Sequence, residues 1–133
     1  MSAPSTPASR SAVGVHIATV VIGLVWGING LWAKILGQVP RHAEIVARVV
    51  GDAFAGPLTV VIGVAELVML AWFLSGRHTR LCAAAQVAIV LTMNVIEQVI
   101  AADLLLFGRF NLLLACLFCG VVIVRERAVR DRA

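Results

Sequence analysis

Residues 11–33 read SAVGVHIATVVIGLVWGINGLWA, a run without one Asp, Glu, Lys or Arg, and its apolar character continues to Leu36. At about 1.5 Å per residue such a helix crosses a bilayer core of roughly 30 Å with some tilt. A cleaved secretory leader is the rival reading. The run is longer than an h-region of roughly 7 to 15 residues, however, and it ends in Trp32-Ala33-Lys34 with no small-x-small site, so a retained helix is expected. Working outward, residues 57–76 form a second apolar stretch interrupted by Glu66, and residues 81–102 a third interrupted by Glu97. The fourth, residues 110–124, is only about 22 Å long as a helix, so that helix is expected to begin near Phe107 and to carry Arg109 at the interface. The expected architecture is all-α, an integral membrane four-helix bundle with spans at about 13–36, 57–76, 81–102 and 107–124.

The whole chain agrees with this. Its 133 residues allow one domain, 61% of them are hydrophobic and 14% charged, against roughly 45 to 50% and about 25% in soluble domains. A soluble globule of this size cannot hide so much apolar surface. The same numbers exclude a disordered chain, and the absence of Tyr and of aromatic-basic interleaving argues against nucleic acid as a partner despite the net charge of +4. That charge reads as a topology signal. Seven Lys and Arg residues fall on the side of the two termini and the 77–80 turn, whereas Lys34, Arg41, Arg48 and Arg109 fall on the other. The positive-inside rule then puts both termini in the cytoplasm.

Residues 1–10, rich in Ser, Pro and Thr, are expected to be a disordered cytoplasmic tail, and residues 126–133 a basic one. Between the first two spans, Arg41, Glu44 and Arg48 fall at i, i+3 and i+7, with Ile45, Val46, Val49 and Val50 on the opposite stripe. Pro40 suits a first turn and Gly51 a stop, so a short amphipathic helix is expected on the outer face, with Glu44 and Arg48 able to pair along it. The spacing of Gly23 and Gly27, followed by Gly30, predicts close packing of the first helix against a neighbour.

Gly30-Leu31, Lys34-Ile35-Leu36-Gly37, Pro40-Arg41-His42, Glu44-Ile45-Val46-Ala47-Arg48-Val49 and Gly63-Val64-Ala65-Glu66 together resemble the DoxX-like family of small four-helix membrane proteins, over about residues 14–125. The resemblance implies a four-helix bundle in the cytoplasmic membrane and, in some relatives, a subunit role in thiosulfate:quinone oxidoreduction. It fixes no reaction.

Polar residues inside apolar spans cost free energy, so each is a candidate for function. Glu66 falls near the midplane, where it serves either as a protonated interhelical hydrogen bonder, to Asn94 or Asn29, or as a ligand or proton site. Counting helix rise puts Lys34 roughly 10 Å away from it, which disfavours a direct ion pair. Trp26, Asn29, Lys34, Glu44, Arg48, Glu66, Asn94, Glu97 and Asn111 all fall in one half of the bilayer and are expected to converge on a polar cavity open toward the outer leaflet. Interfacial anchoring, snorkelling and interhelical hydrogen bonding explain the same residues individually. His16 and His78 fall far from His42, so no histidine metal centre is expected. Cys116 and Cys119 form a C-x-x-C inside the fourth span, away from any helix N-terminus or basic group, and read as packing residues. Cys82 is likewise inside an apolar stretch, which rules out a disulfide scaffold.

The reading favoured by these residues is a non-catalytic or accessory membrane protein that binds a hydrophobic small molecule, a lipid or a quinone, between Trp26, Asn29, Glu66 and Asn94. No cofactor is evident beyond such a quinone. The alternatives are a membrane subunit of a quinone-linked oxidoreductase, which requires a partner chain, and an integral-membrane isomerase with Glu66 as acid-base group assisted by Glu97. A homodimer is compatible with each.

Overall fold

The computed structural model describes residues 3, 4 and 6–132. Among them every regular element is helical. Helix α1 (Pro7–Gly27) runs directly into a π-helical segment (Ile28–Ile35), followed by α2 (Pro40–Val50), α3 (Asp52–Ser75), α4 (Thr79–Ile100), a 3-10 turn (Ala102–Leu104) and α5 (Phe110–Arg130). The result is the all-α bundle that the apolar periodicity predicts. Three stretches, Arg10–Ile35, Asp52–Ser75 and Thr79–Ile100, are long and apolar enough to cross a membrane. Their outward side chains, Val13, Leu24, Val61, Val68, Leu81 and Val99 among them, are exposed. Such a surface is a liability in water and ordinary in lipid, where each helix satisfies its own backbone groups. Helix α5 meets Arg125, Glu126 and Arg127 after a shorter apolar run and packs between α1 and α4.

The start of α1 and the end of α5 lie at one end of the bundle, where Arg132 Nη2 donates to the carbonyl of Ala8 at 3.1 Å. Helix α2 and the 3-10 turn lie at the other end and touch each other. Near the termini end the core comprises Ile22, Trp26, Met69, Phe73, Cys82 and Val122. Arg125 enters this region because its charge is accommodated there: the guanidinium stacks 4.6 Å above the Phe73 ring, and Nε donates to Thr19 Oγ1 at 3.1 Å.

Several boundaries differ from the sequence expectation. Helix α1 starts at Pro7, so residues 7–10 are helical rather than tail; residues 1, 2, 5 and 133 lie outside the described residues. Helix α5 continues to Arg130 because Glu126 is buried, accepting from Thr79 Oγ1 at 3.5 Å and facing Arg130 at 3.7 Å. Helix α3 begins at Asp52, five residues before Pro57, directly after Gly51 turns the chain with φ +92°. Helix α5 begins at Phe110 rather than Phe107, because Gly108 adopts φ +53° and breaks the winding just before it. Helix α2, by contrast, has the predicted form, with Pro40 in its first turn, Ile45 buried and Glu44 exposed.

The closest helix contact also moves. Added Cβ atoms at Gly23 and Gly27 would meet only the Leu70 side chain, at 3.5 and 3.6 Å. At Gly30 a Cβ would lie 2.8 Å from the Gly63 carbonyl oxygen, and at Gly63 one would lie 2.8 Å from that of Gly30. The backbone crossing therefore sits between the π-helical segment and α3. It lies eleven residues, about 16 Å, into α3, and the first helix continues only five residues beyond it, so that helix ends roughly 10 Å short of the start of α3 and α2 occupies the space above it.

Candidate functional site

The backbone crossing sets Lys34 beside α3. Residues 30 and 34 share a face, and in the π-helical segment hydrogen bonds such as Leu36 N–H to the Leu31 carbonyl, 2.9 Å, skip one residue more than in an α-helix. The Lys34 side chain therefore runs along α3 to Glu66 instead of snorkelling outward. Nζ donates to Oε1 at 2.9 Å and to Oε2 at 3.0 Å, and the two side chains are only 7% and 9% exposed. This corrects the expectation that about 10 Å separates them. It also corrects the expected bond from Glu66 to Asn29 or Asn94. Asn29 donates to the Val25 carbonyl and Asn94 to the Val90 carbonyl, each at 2.8 Å.

Glu66 and Lys34 form part of the wall of a cavity of about 450 Å³. Trp26, Asn29, Asn94, Glu97 and Asn111 line it too, so seven of the expected residues share one space. Asn111 Nδ2 donates to Asn94 Oδ1 at 2.7 Å, tying α5 to α4 across the wall. Glu44 and Arg48 do not belong to it. Glu44 is exposed on the far face of α2, and Arg48, instead of pairing with Glu44, makes a two-pronged contact with Asp103: Nη1 to Oδ1, and Nη2 to Oδ2 at 2.7 Å.

Sequence reasoning missed other lining residues. Arg41 and His42 face the cavity with Ile45, and Leu105, Leu106 and Phe107 approach from the α4–α5 connection. A signal was present for the first two: Ile45 lies on the buried stripe, and positions three and four residues before it share its face. Burial, then the Lys34 charge and then that of Arg41, lower the His42 pKa from 6.5 to about 4, so the imidazole is neutral at neutral pH.

The cavity's floor is Trp26, Val90 and Phe118, which border the core, and its walls carry Lys34, Arg41, His42, Glu66, Glu97 and three Asn amides, with Leu105, Leu106 and Phe107 beside them. The Trp26 and Phe118 rings meet edge-on at 6.3 Å. Beneath them Trp26 Nε1 donates to the buried Gln86 Oε1 at 2.8 Å. That bond satisfies the indole from the side away from the cavity and leaves its ring as an apolar floor. Chemically, such a space suits a molecule with a polar head and an apolar body.

The C-x-x-C is outside this site. Cys116 is exposed, Cys119 is buried, and both are free thiols. Trp32, expected as an interfacial anchor, is 54% exposed and points away from the cavity lining.

Comparison with known proteins bears on the whole of this arrangement. No curated protein and no solved structure matches the chain. The family model described as the DoxX-like family matches residues 23–124, which takes in the π-helical segment, Lys34, α2, Glu66 and every residue lining the cavity. The chain is an integral membrane protein and belongs to the DoxX-like family.

Proposed function

We propose that the chain binds an amphipathic small molecule, a lipid or a quinone, in this cavity, and that it does so as a non-catalytic or accessory membrane protein. The observation carrying this reading is the cavity itself: its volume of about 450 Å³ falls within the roughly 300 to 1,000 Å³ of small-molecule sites, and charged side chains line it above an apolar floor. The head group sits at Lys34, Glu66, Arg41, His42 and Glu97, and the apolar part lies against Trp26, Val90 and Phe118. Lys34 engages both oxygens of Glu66, which weighs against Glu66 as an acid-base group and favours binding over isomerase chemistry. An oxidoreductase subunit needs, in addition, a partner chain.

The distribution of Lys and Arg supports cytoplasmic termini, with α2 on the outer side and α5 completing a fourth crossing. Reporter fusions after Arg77 and after Arg132 should both report cytoplasm; an external signal after Arg132 rejects the orientation. For the ligand, protein extracted in mild detergent is examined by native mass spectrometry and absorbance beside Ala115→Phe, which fills the cavity from a buried lining position. A bound lipid or quinone present in the parent and lost in the folded variant is the expected result. Equal ligand content in both, or none in either, rejects the site.

A further inference from the structure

The roof of the cavity is made of two unlike parts. One is α2, packed along α3. The other is residues 102–109, whose 3-10 turn touches only α4, to which it is joined, and α2. Phe107 lines the cavity yet is 53% exposed, and Leu106 does the same at 63%. At the far end of this connection Gly108 holds φ +53°, and a residue without a Cβ changes backbone conformation at low cost, so the chain can turn there between Leu106–Phe107 and α5. Its side-chain tie to the other roof element is the two-pronged contact from Arg48 to Asp103, on the surface and away from the binding groups.

We propose that residues 102–109 are a gate over the cavity, pivoting at Gly108 and latched to α2 by the Arg48–Asp103 pair. The pair is placed for this role. It joins the two halves of the roof, it is solvent-exposed and therefore weak enough to open, and it is bidentate and so holds a defined closed position. Leu105, Leu106 and Phe107 move with the latch and uncover the cavity. The gate rests on the reading that this cavity is a ligand site, but access can be measured with no ligand present, so failure of the gate and failure of binding are read separately.

The test uses the full chain in detergent with Trp32→Phe and Trp72→Phe, which leaves Trp26 on the cavity floor as the single indole, quenched by aqueous acrylamide. Four forms are compared, all with Cys82, Cys116 and Cys119 changed to Ala: the latch intact, Asp103→Asn, the charge swap Arg48→Asp with Asp103→Arg, and Arg48→Cys with Asp103→Cys joined by a short bismaleimide. The quenching constant should rise about twofold or more in Asp103→Asn, the scale on which a surface ion pair shifts an equilibrium. It should return toward the parent in the charge swap and fall well below it in the cross-linked form. Equal quenching in the cross-linked and uncross-linked cysteine protein overturns the gate. A charge swap that quenches like Asp103→Asn overturns the latch, since loosening by substitution alone explains both.

Discussion

Replacing Glu66 by Gln, or Lys34 by Met, removes one charge from a pair whose side chains are 7% and 9% exposed. At an effective dielectric near 20, unit charges about 3 Å apart attract by about 5 to 6 kcal/mol. Desolvation of both groups offsets much of that, but loss of a single partner leaves the other charge buried and costs about 3 to 5 kcal/mol. The two variants are not equivalent. With Glu66→Gln, Lys34 still has Glu97 across the same cavity; with Lys34→Met, Glu66 loses both of its hydrogen bonds and has only Arg41 elsewhere on the cavity wall, so its cost should be at least as large. Lys34→Met combined with Glu66→Gln removes both charges and should cost well under the sum of the two single variants. The assay is unfolding in mixed micelles, followed by circular dichroism, with the four proteins forming a double-mutant cycle. Single costs below about 1 kcal/mol, or a double variant as unstable as the sum of the singles, would refute the buried pair as described.

Three further outcomes follow from geometry already given. Gly63→Ala and Gly30→Ala each drive a methyl group into a facing carbonyl and should cost about 1 to 3 kcal/mol, whereas Gly23→Ala and Gly27→Ala meet only the pliable Leu70 and should be nearly silent; four melting curves decide it. His42 has a pKa of about 4 in the fold against 6.5 without it, so the unfolded chain binds the extra proton between those values. Stability should be complete above about pH 6.5 and decline toward about pH 4, and the melting temperature of His42→Gln should fall less over that range; parallel declines reject the assignment. Cys116→Ala with Cys119→Ala should keep the fold and ligand content with a loss of about 1 kcal/mol, and a trapped mixed disulfide at Cys116 would instead promote thiol chemistry.

What was legible from the residues, and what was not, has physical causes. Helix α2 could be read because its periodicity and its punctuation by Pro40 and Gly51 agree. The convergence of Trp26, Asn29, Glu66, Asn94 and Asn111 could be read because polar groups in apolar helices must turn toward protein. The Lys34–Glu66 pair was illegible because π-helical winding has no signature in composition, and because depth was counted as though the first helix reached the surface at Lys34. Pro57, which looks like a first-turn residue, lies inside α3 and hid the true start of that helix. Arg41 and His42 were obscured because Glu44 and Arg48 were read as the residues of α2 that reach the cavity, whereas the side chains that do so lie one turn before Ile45.

The π-helical segment has a consequence for chain length. Over its eight residues the wider winding turns the chain about as far as seven residues of α-helix, so the segment Ile28–Ile35 absorbs one extra residue and keeps the helix on either side in phase. An α-helix of the same length would instead carry everything beyond it round by about 100°, turning Lys34 off Glu66 and misaligning the entry into α2. Lipid-facing side chains such as Leu31 and Trp32 can be exchanged with little effect on this register. The winding itself cannot be lost at this length, and a homologue shorter by one residue between Ile28 and Ile35 would keep Lys34 on its buried carboxylate as an unbroken α-helix.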